Sequence, residues 1–73
     1  MDEIIEILKG IRDDVDFTTE KNLIDGNVLE SFDVVTIVAE LTDKFGINIK
    51  ASDIIPENFN SAEDILNLVN KYR

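Results

Sequence analysis

"SFDVVTIVAELTDKFG", residues 31–46, is the stretch that decides the fold. At 3.6 residues per turn, Val34, Ile37, Val38, Leu41 and Phe45 fall on one helical face. The opposite face carries Phe32, Thr36, Ala39 and Asp43, with Asp33 and Glu40 at its edge. This apolar stripe predicts a helix over Ser31–Phe45 with one side packed on a core. Gly46 then predicts a left-handed cap, since glycine has no Cβ to oppose a positive φ. Ser31 stands where the apolar periodicity begins, a place where a serine hydroxyl serves as N-cap.

Two further helices flank this one. "DEIIEILKGIR" puts Ile4, Ile5, Ile7, Leu8 and Ile11 at helical spacing and predicts an amphipathic helix over residues 2–12, its acids early and its bases late as the helix dipole favours. "NSAEDILNLVNKYR" predicts the last helix, capped by Ser61 with Asp64 three residues on. Its apolar stripe reads Ala62, Ile65, Leu66, Val69 and Tyr72, and Lys71 and Arg73 sit at its end. Between the first and second helices, residues 13–30 lack a period. Their apolar members Phe17, Leu23, Ile24, Val28 and Leu29 predict a connection pinned to the core, with a turn at Asp25-Gly26. In "INIKASDIIPENF", Ile47 and Ile49 have no second strand to pair with, so an extended link is expected, then a short helix near Ser52–Ile55 stopped by Pro56. The expected fold is all-α: a small bundle of three longer helices and one short helix, forming one domain over residues 1–73.

Composition narrows the function. Sixteen acidic against seven basic residues give a formal charge of −9, which opposes binding to nucleic acid phosphates and to anionic membrane surfaces and favours a partner with a basic surface. The chain has no cysteine and no histidine. Disulfides, a protein thiol, Ser-His and Cys-His nucleophile pairs and His-containing zinc sites are therefore excluded. A calcium loop fails on both register choices. Gly26 as the sixth position puts Lys21 first and Leu23 third, and Gly46 puts Leu41 first and Phe45 fifth. No glycine-rich loop is present to cradle phosphates, and pairs such as Asp13-Asp14 and Glu63-Asp64 read as solvated faces and caps. No catalytic residue and no metal ligand is assigned. No apolar run approaches membrane-spanning length, and "MDEIIEILKG" is too acidic for a signal peptide, so no membrane insertion and a cytoplasmic location are expected.

Ser31 thus has two readings. It caps the helix, or a group is attached to it, since a phosphate there would face the unpaired N–H groups and positive dipole end of a helix N-terminus. "VLESFDVVTIVAELTDKFGINI", residues 28–49, resembles the phosphopantetheine attachment region of acyl carrier proteins: an acidic residue before the serine, an apolar residue and Asp after it, an apolar-acidic helix ending in Phe, and a short Ile-rich link. The resemblance extends over the chain in helix order, acidity and length, and "SDIIPENFNSAEDILNLV" is similar to the third and fourth helices of that family. The usual Asp-Ser-Leu is here Glu30-Ser31-Phe32, and the glycine often found shortly before the serine is represented by Gly26 and Asn27. "VLES" followed by an aromatic looks more like the stand-alone D-alanyl and other aminoacyl carriers than the fatty-acid carrier.

The resemblance implies that Ser31 carries covalent 4′-phosphopantetheine, transferred from coenzyme A by a holo-carrier synthase (a phosphopantetheinyl transferase). The arm's thiol would hold an acyl or aminoacyl group as a thioester. A loading ligase and a downstream acyltransferase or synthase are the implied partners, and a monomer the implied state. A chain without cysteine needs such a borrowed thiol. Recognition by these partners is expected at Glu30, Phe32, Asp33, Thr36, Ala39, Glu40 and Asp43, an acidic strip with one aromatic. Phe32 has a competing reading as a core residue folded back on the preceding loop. The competing class is an interaction module that is never modified, for which residue 31 need only be a cap.

Overall fold

The computed structural model describes residues 2–73 and contains three α-helices: α1 (Asp2–Ile11), α2 (Ser31–Phe45) and α3 (Ala62–Tyr72). In α1, Ile4 and Leu8 are buried, with Asp2 and Glu3 in the first turn and Lys9 in the last. In α2, Ile37 and Leu41 form the buried centre of the stripe, and Val34, Val38 and Phe45 pack beside them against the core. Gly46 ends α2 at φ 64°, its N–H donating to the Thr42 carbonyl at 3.0 Å. Ser61 caps α3, its Oγ accepting from the Asp64 N–H at 3.0 Å. The stripe of α3 differs from the expected one at a single place. Leu68 is buried, while Leu66 and Tyr72 are half-buried at the margin of the core. α1 packs against both α2 and α3.

The expected short helix over Ser52–Ile55 does not form. Two 3-10 turns take its place, Ala51–Asp53 and Pro56–Asn58. The reason is the proline, acting on the residue before it. Ile55 is forced to an extended φ of −125° and ψ of 155°, so no helix runs through it. Pro56 then opens the second turn, where its fixed φ and missing N–H are tolerated, rather than closing the first. The bundle therefore has three helices, and no strand forms among the described residues.

Residues 12–30 are anchored as their apolar members require. Phe17, Leu23 and Leu29 are buried, and Ile24 and Val28 pack partly against the same core. Their backbone is satisfied locally. The Gly26 N–H donates to the Asn22 carbonyl at 2.7 Å, Asn27 N–H to Ile24 at 3.0 Å and Leu29 N–H to Leu23 at 2.8 Å. A helical turn thus leads into α2, consistent with the turn expected at Asp25-Gly26.

Candidate functional site

Ser31 is exposed on the first turn of α2, but it is not the cap. The cap is Glu30, extended at φ −98° and ψ 169°, whose carbonyl accepts from the Val34 N–H at 3.1 Å. The Glu30 N–H donates in turn to Asp33 Oδ2 at 3.1 Å, so Asp33 closes the first turn from inside the helix. Serine is the better capping residue in isolation, and that preference puts the expected cap one position too late. Ser31 has helical backbone, and its hydroxyl is not engaged in capping.

Two side chains hold the approach to Ser31. Arg12, just past α1, donates from Nη1 to the Val28 carbonyl at 3.0 Å and lies 3.8 Å from Asp33 Oδ2. Its Nε and Nη2 meet the Asp14 carboxylate, each at 3.2 Å. The hydrogen bond with Asp14 is the main reason the guanidinium is raised above its ordinary value and the Asp14 carboxyl lowered below its own. Asn60 works from the other side. Its Oδ1 accepts from the N–H groups of Ile24 and Asp25, both at 3.0 Å, its Nδ2 donates to Asp25 Oδ2 at 3.1 Å, and its carbonyl accepts from Leu23 N–H at 2.9 Å. Periodicity gives no sign of either residue, since their bonds to the loop span 16 and 36 positions of chain.

Glycine is required within this approach at Gly26, where a Cβ would stand 2.6 Å from the Asn22 carbonyl oxygen. Asn27 takes the left-handed geometry that follows, at φ 58°.

The seven expected recognition residues do not share one environment. Phe32 is 77% exposed, which excludes its reading as a core residue. Glu30, Ala39, Glu40 and Asp43 are exposed, and Thr36 is half-buried with its hydroxyl donating to the Phe32 carbonyl at 3.0 Å. Asp33 instead turns inward, its side chain only 15% exposed, because it serves the cap and faces Arg12. Val35, not singled out by the helical wheel, is 65% exposed beside Ser31.

An apolar groove of about 300 Å³ borders Ser31 and is walled by Val34 and Val35 of α2, Ile24 of the loop, and Ile54, Ile55 and Phe59 beyond α2. Ile54 and Ile55 keep over a third of their surface in solvent. Their segment is tied to the end of α3 through Asp53, whose carboxylate accepts from the Tyr72 hydroxyl and from Lys71 Nζ at 3.1 Å. The Tyr72 bond, then the Lys71 bond, lowers the Asp53 carboxyl below its ordinary value. The Lys50 N–H also donates to the Tyr72 oxygen at 3.1 Å, and Asn58 Nδ2 to the Asp53 carbonyl at 2.7 Å. No cluster of metal-ligating side chains occurs among the described residues, and no helix is long and apolar enough to cross a membrane.

Curated proteins similar to this chain are the D-alanyl carrier proteins of Streptococcus sanguinis (strain SK36), Streptococcus gordonii (strain Challis) and Streptococcus thermophilus (strain LMD-9). Each is 31% identical over 72 residues, covering 97% of this chain and 91% of the relative. No family model and no solved structure matches.

Proposed function

The chain belongs to the carrier-protein family that includes these D-alanyl carriers, is itself a carrier and not an enzyme, and from that premise we propose that Ser31 is its point of attachment for 4′-phosphopantetheine. One observation carries the reading. Ser31 presents an exposed hydroxyl on the first helical turn, with capping done by Glu30 and Asp33 and an apolar groove alongside. A phosphodiester on its Oγ would lie at the positive end of α2. When bound, the arm supplies the thiol that the chain lacks and holds an acyl group as a thioester. This chain's residues do the rest. Arg12 and Asn60 hold the loop that presents Ser31, and Val34, Val35, Ile54 and Ile55 offer apolar surface next to it.

In this reading the protein is a monomeric single carrier domain that works in the cytoplasm. A holo-synthase, a loading ligase and a downstream acyltransferase engage it around Glu30, Phe32, Asp33, Thr36, Ala39, Glu40 and Asp43. An aminoacyl cargo is favoured by the relatives' name, which makes D-alanine the first to test. The competing interaction module gives Ser31 no task, since the helix is capped without its hydroxyl.

The test is an intact-mass spectrum after incubation with coenzyme A and a phosphopantetheinyl transferase of broad range. One phosphopantetheine should add, and Ser31→Ala should abolish it. The sequence holds two other serines: Ser61 is buried and caps α3, so Ser52, which is exposed, is the competing acceptor. Addition that persists in Ser31→Ala and maps to Ser52 would sink the assignment.

A further inference from the structure

The apolar groove beside Ser31 has one wall that burial does not hold. Ile54 and Ile55 supply that wall, and both keep over a third of their surface in solvent. Between Ile47 and Phe59, which are buried, the chain has no buried residue. Few apolar contacts therefore oppose local opening of residues 50–55. The backbone bonds of this stretch are short-range: the Asp53 N–H donates to the Lys50 carbonyl at 2.9 Å and the Ile54 N–H to the Ala51 carbonyl at 3.1 Å. Pro56 keeps Ile55 extended, so no helix stiffens the segment.

A polar knot at the C-terminal end of α3 ties these residues down. The Tyr72 oxygen accepts from the Lys50 N–H at 3.1 Å, and its hydroxyl donates to the Asp53 carboxylate, which also accepts from Lys71 Nζ at 3.1 Å. Asn58 Nδ2 donates to the Asp53 carbonyl at 2.7 Å and carries the tie across Ile54 and Ile55. The ties are unequal. The Lys71 side chain is 63% exposed, so solvent and salt weaken its ion pair, whereas the Asp53 side chain is 18% exposed. Tyr72 is half-buried with its ring packed against the core, and its single hydroxyl meets the segment at two points.

We propose that Tyr72 and Asp53 form a latch, and that residues 50–55 are a strap whose release opens the groove beside Ser31. The strap is fixed at buried Ile47 and at the second 3-10 turn, Pro56–Asn58, which packs on α3. Loss of the Tyr72 hydroxyl frees the Lys50 N–H and the Asp53 carboxylate together, and Ile54 and Ile55 then part from Val34 and Val35. The end of α3 thereby governs the apolar surface next to the serine. The bearing of this on a carried group rests on the carrier reading, but the latch itself belongs to the fold of the unmodified chain.

Trypsin digestion of that chain under native conditions, with cut sites mapped by mass spectrometry, reads the latch at the Lys50-Ala51 bond inside the strap. Tyr72→Phe keeps the ring and removes both bonds of the hydroxyl. Cutting at Lys50 should accelerate by about tenfold, as expected for loss of a net hydrogen bond, while cutting at Lys21 in the loop before α2 should stay within about twofold of the parent. Lys71→Met should accelerate cutting at Lys50 by no more than about threefold, and added salt should erase the difference. Asp53→Asn, which keeps an acceptor oxygen for Tyr72, should fall between the two. In Tyr72→Phe the methyl resonances of Val34, Val35 and Ile54 should shift, and those of Ile4 and Leu8 in α1 should not. Unchanged cutting at Lys50 in Tyr72→Phe overturns the latch, as does equal acceleration at Lys21, which reports opening of the whole fold. Faster cutting with the Val34 and Val35 resonances unmoved separates the strap from the groove and overturns the proposal too. Failure of mass addition at Ser31 would instead overturn the carrier assignment and leave the latch standing.

Discussion

Asp33 and Glu40 are equivalent in the sequence pattern, both acids at the edge of the outer face of α2, yet the structure gives them different work. Asp33 accepts the Glu30 N–H at 3.1 Å and faces Arg12 at 3.8 Å with its side chain mostly covered, whereas Glu40 has no partner within 4.0 Å among the described residues. Removing a capping acceptor destabilises a helix by about 1 kcal/mol. Losing a carboxylate from the first turn removes about 0.3 to 1 kcal/mol of dipole interaction. Alanine returns roughly 0.5 kcal/mol through its helix propensity. Asp33→Ala should therefore destabilise by about 1 kcal/mol net, before any contribution from Arg12.

A domain of this length has of order 4 to 11 kcal/mol in all, and 1 kcal/mol moves the midpoint by about 4 to 8 °C. Glu40→Ala should stay within about 0.5 kcal/mol of the parent. The assay is paired thermal and urea melts followed by helix circular dichroism. Asp33→Asn, which keeps an acceptor oxygen and loses the charge, should fall between. Combined with Arg12→Met, Asp33→Ala should show less than additive loss, since both changes break one junction. If Asp33→Ala melts together with Glu40→Ala, the junction between α1, the loop and α2 does not contribute as described.

Three further outcomes follow from the same geometry. Gly26→Ala, whose methyl would meet the Asn22 carbonyl at 2.6 Å, should destabilise by about 1 to 3 kcal/mol in urea melts, whereas a permissive site would gain stability. Asn60→Ala leaves the Ile24 and Asp25 N–H groups without their acceptor, and amide exchange at Ile24 should accelerate by at least about tenfold relative to Leu41 in the core. The Asp53 carboxyl is lowered by Tyr72 and Lys71, so its contribution is complete above the ordinary carboxylate range near about pH 4 and fades as pH falls through the lowered value. The stability gap between the parent and Asp53→Asn should accordingly be constant near neutral pH and close in acid. A gap that widens in acid would contradict the assignment.

The parts of the fold legible in the sequence are those set by short-range chemistry. α1 and α3 show their apolar periodicity within a few turns, Ser61 caps α3 by a contact three residues away, and Gly46 meets the one backbone geometry that favours it at that helix end. Ile54 and Ile55 mark the limit of this reading. Their apolar side chains extend a helical pattern, but the backbone restriction from Pro56 overrides it and leaves both exposed between two turns. By sequence Arg12 is one of the late bases of the first helix, and Asn60 belongs to no pattern. Their roles arise from contacts that exist only once the chain has folded, so no local signal carries them.

The one-residue shift at the start of α2 bears most directly on function. A serine at the cap position accepts a hydrogen bond from the helix with the same oxygen that would have to react. With Glu30 at the cap and Asp33 closing the turn, that demand is met by two carboxylate-bearing residues, and Ser31 moves to the first helical position with an exposed side chain. The arrangement also gives an acidic residue directly before the serine a task here: the Glu30 side chain accepts from the backbone N–H of Asp33 while the Asp33 side chain accepts from that of Glu30. Asp33, two residues after the serine, therefore has a task in the fold besides any part in recognition. A partner-binding defect in an Asp33 variant would mix lost stability with lost recognition. Glu40, which has no ion-pair partner among the described residues, is where the proposed recognition can be tested separately from folding.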